Sequence, residues 1–182
     1  MGISGEHMSK MVKSNQLNLT DGELDLLGFR MAMLPVFTWT KLIENLYERL
    51  GEEVFDILHD VGKAHGQYAI DEIGKKHDIP RKQFLDQALY TADALGLGEF
   101  SLEKLNFEEG KIVFKIENSP FKKAFENSEV LSDLDRPIED LQMGMCHKVS
   151  EAVLEGEVES EEVSCSFQGD PHCRFVIRRK QD

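Results

Sequence analysis

The sequence predicts an α+β domain: a helical bundle packed against antiparallel strands and ending in a C-terminal β-hairpin. Three observations carry this. Apolar residues recur at three- and four-residue steps through four long segments, with Gly or Pro at their ends. Two alternating runs, Phe100–Phe107 and Lys111–Ile116, flank Glu-Glu-Gly, which is a hairpin signal. Two more runs, Val158–Phe167 and His172–Arg178, flank the strong turn Gln168-Gly169-Asp170-Pro171.

In chain order, residues up to about Thr20 are polar and aperiodic and read as a flexible tail. Within it, Met1–Met8 has the texture of an expression leader, with the natural start at Met8. A single domain is expected over 21–182. Glu23–Met33 reads as a short strand or extended segment stopped by Pro35, which opens a helix carrying Val36, Trp39, Leu42, Ile43, Leu46, Tyr47 and Leu50. Gly51 ends it. The next helix shows one stripe through Val54, Leu58, Val61, His65, Ala69 and Ile73. Gly62 and Gly66 lie one above the other on it, at a cost of ~1 kcal/mol each relative to Ala. Such a pair calls for close approach of a neighbouring helix or a ligand, and it offers a place for a dimer contact. A third helix follows through Phe84, Leu85, Ala88, Leu89, Ala92 and Leu95. After the first hairpin come a short helix over Pro120–Phe125, an acidic loop, and a last helix starting at Pro137, with Ile138, Leu141, Met145, Val149 and Val153 buried.

Composition excludes several classes. With 34 acidic and 21 basic residues among 182, the chain carries a net charge of −13, the wrong sign for a phosphate-backbone binder, so direct nucleic-acid binding is not expected. No apolar run is long enough to span a membrane, and no signal-peptide core opens the chain; a cytoplasmic protein is the expectation. Three cysteines are too few, and odd in number, for a secreted disulfide scaffold. No nucleophile–base pair or phosphate loop stands out. Gly96-x-Gly98 lacks a third glycine and precedes a strand, so it is no dinucleotide loop. No catalytic residue is assigned.

The cysteines are the informative residues. Cys165 and Cys173 flank the last turn symmetrically about Gly169, and cross-strand pairing would put their Cβ atoms ~5 Å apart. Cys146 lies on the preceding helix, and Glu162 precedes Cys165 by three positions. Three thiolates and a carboxylate suit tetrahedral Zn²⁺. Positions three apart on a regular strand face opposite ways, so Glu162 and Cys165 converge only with a bulge or an irregular strand start. His147 or His172 is an alternative fourth ligand. Buried reduced cysteines, a Cys165–Cys173 disulfide and unrelated thiols are the competing structural explanations.

Gly144-x-Cys146 followed by Glu162-x-x-Cys165-x3-Gly169-Asp170-x2-Cys173-x-Phe175 resembles the 4-vinyl reductase domain family, also called hydrocarbon-binding proteins. Arg30 to Leu34-Pro35, Leu50-Gly51-Glu-Glu and Gly62-x3-Gly66 extend the resemblance, which covers about residues 24–180. It implies a fold shared with TRAPP components and haem-NO-binding sensors. It also implies a structural zinc held by Cys146, Glu162, Cys165 and Cys173 near a ligand pocket, as in phenol-sensing relatives. Four protein ligands leave no open position for catalysis.

The function expected is a sensor module that binds a small apolar or aromatic ligand. Trp39, His65, Tyr68, Phe84 and Met143 are the candidate pocket residues. Many relatives carry an output domain on the same chain; here the expected partners are a second copy, in a homodimer, and a separate effector protein. Three alternatives stand beside it. One is a thiol redox sensor using the same cysteines, another a TRAPP-like interaction scaffold, and the third a tetrapyrrole-metabolism factor.

Overall fold

The structure, a computed structural model, describes residues 11–14, 17–26, 29–75 and 79–181. The leader expected over Met1–Met8 lies outside them. Strands β1 (Leu17–Thr20), β2 (Glu23–Leu26) and β3 (Phe29–Met31) form a small antiparallel meander in the order β1-β2-β3. The tail expected up to Thr20 is therefore corrected: Leu17–Thr20 pairs with Glu23–Leu26 across an Asp21-Gly22 turn in which both residues have positive φ. Met11 is fully buried with Leu26 and Ala94 in a satellite core. Short polar strands carry little periodicity, which is why this hairpin reads as tail.

Helix α1 (Val36–Leu50) starts after Pro35 and ends at Gly51, whose positive φ lets its N–H return to the Tyr47 carbonyl at 2.8 Å. Helix α2 (Glu53–Ala69) runs on into a π-helical turn over Ile70–Lys75. Helix α3 spans Arg81–Ala94, β4 Glu99–Asn106 and β5 Lys111–Glu117. Helix α4 (Pro120–Glu126) is capped by the Ser119 hydroxyl, which accepts from the Phe121 N–H at 3.3 Å. Helix α5 covers Asp140–Leu154, three residues later than Pro137 suggests, and leads into β6 (Val158–Ser164), a 3₁₀ turn (Ser166–Gln168) and β7 (Cys173–Arg179).

The two expected hairpins join into one antiparallel sheet. β5 pairs with β7, giving the order β4-β5-β7-β6. Helix α5 packs on this sheet and against α2, while α3 lies against β4 and α5. Phe55, Phe114, Phe125 and Phe175 are wholly buried in the resulting core.

The glycine pair of α2 is explained by α5. A Cβ at Gly62 would fall on the Leu141 carbonyl oxygen, and one at Gly144 on the His59 carbonyl. A Cβ at Gly66 would lie 2.9 Å from Lys148 Cβ. Two backbones thus touch directly, which only Gly allows. This corrects the expectation of a dimer contact at Gly62 and Gly66, because α5 already occupies that face. It also corrects the stripe: the inward face of α2 runs through Val54, Phe55, Leu58, Gly62 and Gly66, whereas Val61 and His65 are exposed. Arg136 closes one end of the bundle. Its guanidinium lies 4.0 Å over the Phe55 ring and pairs with Glu52 at 3.1 Å and Asp140 at 2.8 Å.

Candidate metal centre and ligand cavity

The last hairpin builds the first site. β6 and β7 pair regularly from Val158↔Arg179 to Glu162↔Phe175, then the register slips by one residue before Ser164↔Arg174. That bulge at Val163 supplies the convergence of Glu162 and Cys165 that regular strand geometry forbids. Cys165 itself leaves the strand and enters a tight turn. Its N–H donates to Asp170 Oδ2 at 2.8 Å, its carbonyl accepts from the Gln168 and Asp170 amides, and Gly169 takes positive φ. On the other side, Cys173 Sγ accepts the Ser166 N–H at 3.3 Å.

Glu139, Glu162, Cys165 and Cys173 form one group. Each offers a ligand atom, and these atoms lie within 4.8 Å of one another, so the group can hold a metal ion. Glu139 sits just before α5, is fully buried, and places Oε2 3.6 Å from Cys165 Sγ. Cys146 is not in the group. Among the described residues Glu139 takes the place that the sequence reading assigns to Cys146. An acid at a helix start is commonplace, because it complements the helix dipole, so nothing in the sequence singles it out. His147 is engaged elsewhere, with Nδ1 2.8 Å from Ser160 Oγ and Nε2 3.5 Å from Glu151.

Electrostatics make this group unusual. Burial, then the neighbouring Cys165 charge, pushes the Glu139 carboxyl up to about 7. Burial, then the Glu139 charge, also raises Glu162 far above the carboxylate range. Hydrogen bonding with Cys173, ahead of backbone hydrogen bonding, lowers the Cys165 thiol below its ordinary range, while the same pairing and burial raise Cys173, so Cys165 is the thiolate and Cys173 keeps its proton. The Oε1 atoms of Glu139 and Glu162 are buried with no hydrogen-bond partner. Orphaned carboxylate oxygens beside paired thiols are costly unless a cation neutralises them. The mixed sulfur and oxygen donors favour a borderline divalent ion over Mg²⁺ or Ca²⁺.

The second site is an apolar cavity on the same helix. Leu85, Ala88, Leu89 and Ala92 of α3, Phe100 of β4, Phe114 of β5, and Met145, Cys146 and Val149 of α5 line a narrow, partly open apolar cleft of about 40 Å³. The two alanines of α3 stand where larger side chains would close it. Burial pushes the Cys146 thiol up to about 12, so it is a neutral lining group.

None of the five pocket residues expected from the sequence lines this cavity. Trp39 borders a narrow cleft with Ile43, Leu58, Phe121 and Phe125 instead. His65 and Tyr68 are exposed on α2. Phe84 packs over Gly74, whose missing Cβ would lie 3.3 Å from the ring, and Met143 is buried in the core. The sequence singles out polar and large aromatic residues, whereas the cavity is made by small ones.

No protein-family model and no curated protein matches the chain. Solved structures do share its fold. The phenol-responsive sensory domain of the transcription activator PoxR, solved with phenol, superposes with a TM-score of 0.79 at 18% identity, over 98% of this chain and 91% of that one. Trafficking protein particle complex subunit 3 from Naegleria fowleri, covalently bound to palmitic acid, gives 0.57 at 18% identity, over 80% and 95% of the respective chains. A vinyl-4-reductase family protein from Methanocaldococcus jannaschii gives 0.53 at 14% identity, over 83% and 85%. The fold expected from the sequence is the fold these proteins share.

Proposed function

We propose that this chain is a small-molecule-binding sensor domain whose α3–α5 cavity takes a small apolar or aromatic ligand and whose last hairpin is pinned to α5 by a structural zinc ion. The observation that carries it is the placement of both sites on one helix. Glu139 stands at the start of α5, and Met145, Cys146 and Val149 line the cavity farther along it. A ligand that shifts α5 would therefore be felt at the metal-bearing hairpin. The likeness in fold to a phenol-responsive sensory domain supports the same reading.

Glu139, Glu162, Cys165 and Cys173 would hold the zinc. Tetrahedral ligands at about 2.0–2.3 Å lie roughly 3.3–3.8 Å apart, so a contraction of about 1 Å closes the present group around an ion. Four protein ligands fill the coordination sphere, and the ion supplies cross-linking between hairpin and helix rather than Lewis-acid chemistry. Closeness of the sulfurs also favours a second reading, in which oxidation to a Cys165–Cys173 disulfide ejects the ion. Zinc content before and after mild peroxide, with reversal by a thiol reductant, separates the two; zinc retained through oxidation removes the redox reading.

Output would pass through a second copy. Trp39 and Leu42 on α1, and Ile57, Val61 and Ala64 on α2, repeat at helical spacing and are solvent-exposed, Val61 at 50%. Rows of this kind on two neighbouring helices suit a helix-to-helix homodimer, with a separate effector reading its geometry. The direct test of ligand binding is a thermal-shift panel of one-ring aromatics and short-chain hydrocarbons. The wild-type chain is expected to be stabilised by members of the panel, and Ala88→Phe, which fills the cavity, to lose that response. A wild-type chain that no member stabilises removes the proposal.

A further inference from the structure

A cleft of about 480 Å³ opens between the start of α4 and the turn that carries Cys165 and Cys173, and it shares no lining residue with the α3–α5 cleft. Val36 of α1, Ile116 of β5, Pro120 of α4 and Pro171 of the last turn give it apolar walls. Asn118, Lys122, Lys123 and His172 bring polar groups to the same walls. The charges there do not cancel. Glu117, the one acid on the wall, is taken by Lys115 at 2.7 Å. Asp170, beside Pro171, spends its carboxylate on the Cys165 N–H at 2.8 Å. Lys122 reaches Glu126 only at 3.9 Å, and the exposed Lys123 ammonium has no ion-pair partner among the described residues. His172 meets Ser164 through its carbonyl, not its ring. In a chain of net charge −13, a concave site with an uncompensated positive charge is a local exception, and concave walls focus such a charge on whatever enters.

We infer that this cleft is a second ligand site, and that it takes a small organic monoanion: a carboxylate on a compact apolar body. The carboxylate meets Lys123 and Lys122, while the body lies against Val36, Ile116, Pro120 and Pro171. Each part of the ligand class follows from the walls. A neutral molecule of the same shape would gain the apolar contacts and leave the lysine charge unused. An inorganic anion would gain the charge and leave the apolar walls wet. Lysine ammonium groups are hydrated point charges with rotatable donors, so they accept a carboxylate without a fixed geometry. The cleft also borders the metal group. Ser166 Oγ, on its wall, lies 3.3 Å from Cys173 Sγ, and the Ser119 hydroxyl, also on its wall, hydrogen-bonds Glu139. An occupant would therefore tie α4 to the turn beside that group. This site does not depend on the α3–α5 cleft or on its ligand.

The test compares benzoate with benzamide, two probes of one shape that differ in charge, titrated calorimetrically into the intact chain. Wild type is expected to bind benzoate about tenfold more tightly than benzamide at low salt, and to lose most of that difference at high salt. Lys123→Gln is expected to lose about tenfold in benzoate affinity while benzamide affinity is kept. Lys122→Gln is expected to lose less, because Glu126 already shares that charge. Lys104→Gln removes the same charge from β4, away from the cleft, and is expected to bind benzoate as wild type does, as is Ala88→Phe. Equal losses in Lys123→Gln and Lys104→Gln would overturn the site, since the attraction would then belong to the whole surface. Benzamide held as tightly as benzoate, or no benzoate binding by wild type, would overturn it too. Benzoate lost from Ala88→Phe but kept by Lys123→Gln would put the anion in the α3–α5 cleft and overturn the second site while leaving the first.

Discussion

Glu139 Oε2 lies 3.6 Å from Cys165 Sγ, joining the start of α5 to the turn that links β6 and β7 across 26 residues of sequence. Glu162 and Cys173 complete the same buried group. Without a cation, the two carboxyls and the Cys173 thiol are driven to hold protons beside the Cys165 thiolate. With one, as proposed, they would clamp a helix to a hairpin. Several measurable consequences come from this arrangement and from the packing around it.

If the group holds the proposed zinc, removal of one ligand should unfasten the corner. Cys173→Ser and Glu139→Gln are each expected to lose bound zinc and to lower stability by about 3 kcal/mol. Cys146→Ser, outside the group, is expected to keep its zinc. Metal analysis of the three purified variants checks the assignment, and zinc lost from Cys146→Ser but kept in Glu139→Gln would return the fourth place to Cys146.

The protonation of Glu139 gives a pH dependence with a definite sign. In metal-free protein its value is raised from 4.5 to about 7, so folding favours the protonated form. The stabilisation from this group is complete below about pH 4.5 and is lost as pH rises through about 7. Zinc must displace that proton, so zinc affinity is expected to fall as pH drops below about 7. Melting curves with chelator and with added zinc, over pH 4–8 or so, should therefore slope in opposite directions.

The fold was legible in the sequence where periodicity and turn chemistry agree. The boundaries of α1 follow Pro35 and Gly51, and the last turn follows Gly169-Asp170-Pro171. Convergence of Glu162 and Cys165 called for a bulge or an irregular strand start, and the register does slip at Val163. Two errors share one cause. Val61 and His65 continue an apolar-looking stripe on α2, but the buried stripe passes through glycines, which carry no hydrophobic signal of their own. Likewise Ala88 and Ala92 create the cavity by what they lack. Cys146 attracts attention as a thiol while Glu139, one acid among many in an acidic chain, does not. Sequence shows which side chains are chemically able; only the fold shows which ones meet.

The α2–α5 crossing tolerates no added methyl. Gly144→Ala would drive a Cβ onto the His59 carbonyl, and Gly62→Ala onto that of Leu141. Each is expected to cost at least ~3 kcal/mol, because backbone on both sides must move. Gly96→Ala meets nothing nearby and costs only the strain of its positive φ. Denaturant unfolding of the three variants gives this order; equal losses would contradict direct backbone contact.

Arg136 tests the start of α5. Its guanidinium stacks on Phe55 while paired with Glu52 and Asp140. Arg136→Ala is expected to destabilise by about 1–2 kcal/mol, and Arg136→Lys to recover only part of it, since an ammonium cannot stack and fork at once. Full recovery in the lysine variant would mean that charge alone matters there.

The exposed rows on α1 and α2 predict association. Val61→Glu combined with Leu42→Glu is expected to convert a dimer to a monomer in light scattering while leaving zinc content unchanged. Monomeric wild type at micromolar concentration would remove the homodimer from the account.

The most direct single measurement is native mass spectrometry of the chain purified under reducing conditions, repeated after denaturation. One zinc per chain, lost on denaturation, is expected, together with added mass from a small neutral molecule released at the same time. A native spectrum showing the bare, metal-free chain would contradict it, and would leave the cysteines as core residues of a fold whose cavity serves some other end.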